Sequence, residues 1–155
     1  MKLSIIIPFN RYIHYLYDCL ESIKDQNLTD YEVLLVVDAI EDVKDKIHKY
    51  NLPITFIESG EATVGKKRNM GLNLAKGDYV YFLDSDDYVL PNCLNALMEE
   101  AEKSNNQVVA GKRMVSWFKK KVYETMSDET NIERNLKDKD HDRLIKVERK
   151  QEEHV

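Results

Sequence analysis

Apolar positions recur in short continuous runs separated by stretches with helical spacing. Residues 3–7 are apolar except for Ser4, and Pro8 ends the run because proline cannot donate to a sheet ladder. Tyr12, Leu16, Cys19, Leu20 and Ile23 then return every three or four positions, which predicts a helix over about 12–25. A second run over 32–37 ends at Asp38. Val43, Ile47 and Tyr50 mark a short amphipathic helix, and residues 54–58 read as a third strand. A helix is predicted from about Val64 to Ala75, with Gly77 as its C-terminal cap. Residues 79–83 form a fourth strand. Pro91 suits the first turn of a helix whose inner face carries Leu94, Leu97, Met98 and Ala101, and residues 107–115 read as a fifth strand. Strands that are apolar on both faces belong to sheets covered by helices on both sides. The order β-α-β-α-β-α-β-α-β therefore predicts an α/β fold with a mostly parallel, Rossmann-like sheet and right-handed crossovers.

The pattern thins after about Trp117. From Glu133 to Val155, 14 of 23 residues are Asp, Glu, Lys or Arg, and Ile132, Leu136, Leu144 and Val147 leave only a narrow apolar stripe. This divides the chain into a domain over 1–116 and a charged tail over 117–155. The tail is expected to be helical or partly disordered and is a candidate surface for pairing with a second copy.

Length and charge narrow the class further. The 155 residues are enough for one domain with its own core. A net charge of -5 argues against a general nucleic-acid binder. No apolar run approaches membrane-spanning length, and Met1–Pro8 reads as a strand rather than a signal peptide. The expected location is cytoplasmic, at most peripheral to the inner face of the membrane. Cys19 and Cys93 fall in helical patterns and read as reduced thiols.

The candidate chemistry gathers where strands end. Tyr79-Val80-Tyr81-Phe82-Leu83 runs straight into Asp84-Ser85-Asp86-Asp87. Ligands of open α/β sheets bind outside the carboxyl ends of the strands. Two carboxylates about 4 Å apart repel by roughly 4 kcal/mol at an effective dielectric near 20. A divalent cation that prefers oxygen would offset this repulsion. A solvated acidic turn that caps the next helix is the plain alternative. Pro8-Phe9-Asn10 and Asp38 occupy the same edge, although Asn10 also reads as a turn residue and Asp38 as a helix cap. Between them, Gly65-Lys66-Lys67-Arg68-Asn69-Met70-Gly71 opens a helix with positive charge and backbone N–H groups, which suits a phosphate as well as a solvated face on which Gly71 permits close helix packing. It is neither a P-loop nor a dinucleotide-binding glycine motif.

Taken together, these segments resemble the N-terminal, nucleotide-binding half of a family 2 glycosyltransferase of the GT-A fold. The resemblance rests on Ser4-Ile5-Ile6-Ile7-Pro8, Leu20-Glu21-Ser22-Ile23, Tyr31 to Asp38, Gly65 to Gly71, Ala75-Lys76-Gly77-Asp78-Tyr79 and Phe82 to Asp87, in that order over roughly residues 3–115. Leu83-Asp84-Ser85-Asp86-Asp87 is similar to the family's DXD motif. The resemblance implies transfer of a sugar from a nucleotide-diphosphate donor, a UDP-sugar first, by a metal-dependent inverting reaction. The implied acceptor is a glycan, a lipid-linked intermediate or a cell-surface polysaccharide precursor. It further implies that Pro8, Phe9 and Asn10 line the nucleotide pocket and that Asp38 accepts from the base. Gly65 and Arg68 would lie by the diphosphate. Asp84 would hold the ribose or support the site, with Ser85 beside it. Asp86 would bind Mn2+ or Mg2+, and Asp87 would share that duty or contact the donor sugar.

Three departures qualify this picture. The segment after the first strand is one residue shorter than the family's proline-x-tyrosine-asparagine. Asp38-Ala39-Ile40-Glu41-Asp42 replaces the family's aspartate-aspartate-glycine-serine turn. The chain also looks short or truncated at the acceptor half, which supplies the general base, so no base is assigned. A nucleotide-binding or oligomerisation module without transferase activity is the alternative function. A haloacid-dehalogenase-type phosphatase is a more distant one, because its aspartates normally come early in the chain.

Overall fold

A computed structural model describes residues 2–105, 107–111 and 143–146. In chain order its elements are β1 (Leu3–Pro8), α1 (Ile13–Lys24), β2 (Tyr31–Val37), α2 (Lys44–Ile47), β3 (Ile54–Glu58), α3 (Val64–Leu74), β4 (Tyr79–Phe82), α4 (Cys93–Ser104), β5 (Val108–Ala110) and β6 (Arg143–Lys146). Single 3-10 turns flank α2. The strands form one six-stranded sheet in the order β3-β2-β1-β4-β6-β5. The four strands from β3 to β4 run parallel, while β6 pairs antiparallel with both β4 and β5.

The period of two along each strand divides the core. Leu3, Ile5, Ile7, Val33, Leu35, Val37, Tyr79 and Tyr81 face α1 and α4, which contribute Leu16, Cys19, Leu20, Ile23, Leu94, Leu97 and Ala101. Ile6, Leu34, Val36 and Val80 face the other way, against Met70 and Ala75 around α3. Such two-sided burial is what continuous apolar strands of a parallel sheet require.

Glycine brings α3 close to this second face. A Cβ on Gly71 would lie 2.5 Å from Ile6 Cγ2. Gly77 does not cap α3 as expected, since the C-cap residue is Ala75 in extended conformation. Instead, a Cβ on Gly77 would lie 2.5 Å from the Ser4 backbone nitrogen. The Gly77 N–H donates to Ser4 Oγ at 2.8 Å, and Ser4 in turn donates to the buried carboxylate of Glu32 at 2.6 Å. A side chain at 77 would break this polar anchor at the amino edge of the sheet.

The expected and observed elements differ mainly after α4. The fifth strand is shorter than 107–115: it spans Val108–Ala110, and residues 112–115 lie outside the described residues. It does not pair with β4, because β6 occupies that place. Arg143–Lys146, expected in a helical or disordered tail, is a strand of the domain's sheet, with Ile145 packed against the Ile6, Val36 and Val80 cluster. Four residues among dense charge are too few to show a period of two, so the stripe through Leu144 and Val147 read equally well as helical. The remainder of 117–155, and with it the expected pairing between copies, lies outside the described residues. Among the described residues, no helix is long and apolar enough to cross a membrane.

Candidate active site at the carboxyl edge

In the order β2-β1-β4, the chain leaves β1 toward β2 and later returns through α3 to β4 on the other side. A reversal of this kind opens a crevice outside the carboxyl ends of the central strands. Every site residue expected from the sequence lies at that edge. Pro8 is the last residue of β1, Phe9 is buried beside it and Asn10 is exposed. Asp38 follows β2. Gly65 and Arg68 lie at the start of α3, and Asp84 to Asp87 follow β4.

The start of α3 ties these strand ends together. Thr63 is its N-cap, and its side chain accepts from the Lys66 N–H at 3.2 Å. Lys67 is 1% exposed, and its ammonium donates to the Phe9 carbonyl at 2.6 Å and to Asp38 Oδ1. The next residue, Arg68, donates through its guanidinium to Asp84 Oδ1 at 2.7 Å. Two consecutive side chains thus reach the ends of β2 and β4, with the end of β1 between them. Lys67, read from the sequence as part of a phosphate-facing basic segment, points inward. Its signal was present in the spacing, since it lies four residues before Gly71 and i, i+4 residues share a helix face. Arg68 Nε is buried and has no hydrogen-bond partner among the described residues.

The acidic turn is built to project its carboxylates. Leu83 N–H donates to Ile6 at 3.0 Å and so continues the sheet, and Asp87 N–H donates to the Asp84 carbonyl at 3.0 Å, closing a four-residue turn. The chain that follows is fastened to α1. Ser22 Oγ accepts from the Val89 N–H at 3.1 Å. The buried Gln26 side chain donates to the Leu90 carbonyl at 2.7 Å and accepts from the Leu94 N–H at 2.9 Å. These two supports were missed in the sequence, where Ser22 stood only within the Leu20–Ile23 motif and Gln26 fell just beyond the expected helix. The turn does not cap α4. The N-cap residue there is Asn92, with Pro91 just before the helix rather than in its first turn.

Carboxylate oxygens of Asp84, Asp86 and Asp87 lie within 4.8 Å of one another. Asp86 and Asp87 are exposed and Asp84 is half-buried. A set of hard oxygen donors at this spacing fits a divalent cation such as Mn2+ or Mg2+, with Asp84 already using one oxygen on Arg68. Across β1 from this turn, Asn10, Asp38, Glu61, Ala62, Thr63 and Lys66 line an open cleft of about 560 Å³. Its volume is within the range of small-molecule sites, which run from about 300 to 1,000 Å³. Gly65, in the first turn of α3, has open space where a Cβ would stand, so packing does not explain a glycine there.

An open, mostly parallel sheet flanked by helices, with an acidic turn after β4 and a basic helix start bridging to β2, is the architecture of the GT-A fold. Comparison with known proteins agrees with this class. The chain belongs to glycosyl transferase family 2, whose family model matches residues 4–150. It is 32% identical over 110 residues to the uncharacterized glycosyltransferase EpsJ of Bacillus subtilis, a match covering 68% of this chain and 32% of EpsJ. It is 35% identical over 96 residues to the poly(ribitol-phosphate) β-N-acetylglucosaminyltransferase TarS of Staphylococcus aureus, covering 57% of this chain and 17% of TarS. The crystal structure of TarS 1–349 superposes with a TM-score of 0.67 at 27% identity, covering 75% of this chain and 38% of that one. TarS 1–349 has also been solved with UDP and with UDP-GlcNAc. The chain therefore spans about a third or less of the length of these two curated relatives.

Proposed function

We propose that the domain binds a uridine-diphosphate sugar with a divalent cation and transfers the sugar, with inversion, to a glycan or glycan-precursor acceptor. The observation that carries this reading is the double clamp of α3. Lys67 engages Asp38 at one end of the site, and Arg68 engages Asp84 of the acidic turn at the other. A nucleoside diphosphate has the same layout, with a hydrogen-bonding base at one end and a charged diphosphate at the other. The solved UDP and UDP-GlcNAc complexes of TarS support uridine as the base.

The residues have separable tasks. Asp38, in the cleft with Asn10, accepts a hydrogen bond from the base. Pro8 and Phe9 are buried at the end of β1 and support Asn10 from behind rather than lining the cleft. Gly65 leaves room for the diphosphate at the start of α3, and Arg68 places positive charge next to it. Asp86 holds Mn2+ or Mg2+ together with Asp84 and Asp87, and Ser85 completes the turn. When bound, the cation neutralises the charge that develops on the departing diphosphate as a Lewis acid. A direct displacement at the anomeric carbon then breaks the bond to the diphosphate oxygen and forms one to the acceptor hydroxyl. The base that removes the acceptor's proton is not assigned among the described residues.

Release of UDP from a panel of UDP-sugars, measured with Mn2+ and again with EDTA, tests the proposal. Metal-dependent turnover that disappears in Asp86→Ala is the expected result. Metal-dependent nucleotide binding without turnover of any sugar would instead establish the non-catalytic module.

A further inference from the structure

Lys67 is the largest charged side chain in the core, and nothing in the proposed chemistry uses it directly. At 1% exposure it is closed to ligand, so any effect on the site passes through its partners. Those partners are the Phe9 carbonyl at 2.6 Å and Asp38 Oδ1. The Asp38 side chain remains 34% exposed and lines the open cleft with Asn10 and Lys66. One oxygen of the carboxylate is therefore tied inward by a buried cation that is itself tied to the end of β1.

We propose that Lys67 is a positioning residue that turns Asp38 into a single-oxygen acceptor of fixed direction, and that this geometry selects the nucleobase. The inference rests on the reading of the cleft as a nucleotide site. A carboxylate free to rotate satisfies many donors, because it offers two oxygens and about four lone-pair directions. With Oδ1 tied inward, Asp38 presents Oδ2 alone to the cleft, in a fixed orientation. Uracil presents an N3–H donor between two carbonyl oxygens. Cytosine presents a bare N3, which a carboxylate oxygen repels, and its donor lies to one side on the N4 amine. A fixed acceptor distinguishes these two patterns, whereas a mobile one can turn to meet the amine. The second anchor matters as well. Because Lys67 also holds the Phe9 carbonyl, the ammonium cannot follow the carboxylate if it turns.

Calorimetric titrations of UDP, CDP and inorganic pyrophosphate, each with Mn2+, into the wild-type chain and Lys67→Met test this inference. Wild type should prefer UDP over CDP by about tenfold or more, as sites built around a hydrogen-bonded group discriminate. Lys67→Met should reduce that preference to about threefold or less, while its pyrophosphate affinity stays within about twofold, because the mutation leaves Arg68 and the acidic turn in place. An unchanged UDP preference in Lys67→Met overturns the proposal. So does an equal loss of UDP, CDP and pyrophosphate, which a merely structural lysine would produce. If Lys67→Met fails to melt cooperatively because it strands the Asp38 carboxylate, the neutral pair Lys67→Met/Asp38→Asn removes that charge too. That pair should fold and show the same UDP-to-CDP ratio as Asp38→Asn alone, because Lys67 acts only through Asp38, and a further change in the ratio on adding Lys67→Met overturns the proposal. Wild-type protein that binds none of the three with Mn2+ defeats the nucleotide reading itself, and this inference with it.

Discussion

Arg68 and Lys67 are neighbours in sequence, yet their burial separates their tasks. The Arg68–Asp84 pair is about two-fifths exposed on both sides, so it contributes little to stability, in the range of 0–1 kcal/mol for such pairs. Its value lies in placing a guanidinium beside the acidic turn. Arg68→Ala should accordingly leave the melting temperature within a few degrees of wild type and weaken UDP–Mn2+ binding by about tenfold or more, as expected for loss of a charge-assisted contact to phosphate. A large fall in melting temperature with unchanged affinity would reverse the assignment. The glycines divide in the same way. Gly71→Ala places a methyl 2.5 Å from Ile6 Cγ2 and should cost about 1–3 kcal/mol in thermal or denaturant unfolding. Gly65→Ala meets no atom, so it should not destabilise the fold, yet it should weaken UDP binding if the diphosphate approaches there. The sequence offered Gly71 as a close-packing glycine, which the 2.5 Å approach to Ile6 Cγ2 bears out, while the open space at Gly65 shows only in the structure.

At the scale of elements, the acidic turn depends on the helix behind it. Ser22 in the last turn of α1 and Gln26 just past its end hold Val89, Leu90 and Leu94 and so fix the chain that leaves the carboxylates. Gln26→Ala leaves the Leu94 N–H and the Leu90 carbonyl without these partners. This should cost about 1–3 kcal/mol, the usual range for stranded buried polar groups. The same variant should raise the Mn2+ concentration needed for half-maximal UDP binding, as metal titration would show. Equal metal affinity in the two proteins would mean that the turn holds its shape unaided. Much of this level was legible in advance. The continuous runs at 3–7, 32–37 and 79–83 fell within about a residue of their strands because a doubly buried strand leaves no room for polar interruptions. What was not legible was side-chain traffic between elements. Gln26 lies 64 residues from Leu90, and no local pattern reports a contact of that separation.

For the whole molecule, β6 is the instructive element. A strand from residues 143–146 slots antiparallel between β4 and β5, so the sheet carrying the site is completed by chain that reads as a charged tail. Alternation of strands and helices established the parallel half and could not foresee an insertion into the sheet from more than thirty residues downstream of β5. The site itself uses only the β3-β2-β1-β4 half, which explains why its residues could be gathered at one edge from sequence before any contact was known. On the proposed reading, this edge holds a nucleoside diphosphate through a cation on the acidic turn. The most direct test of that reading is calorimetry of UDP with and without Mn2+, on wild type and on Asp86→Ala. Wild type should bind UDP only, or at least about tenfold more tightly, when Mn2+ is present, and Asp86→Ala should lose that metal-dependent gain while melting as wild type does. UDP affinity that is indifferent to Mn2+, or that survives intact in Asp86→Ala, would contradict the account.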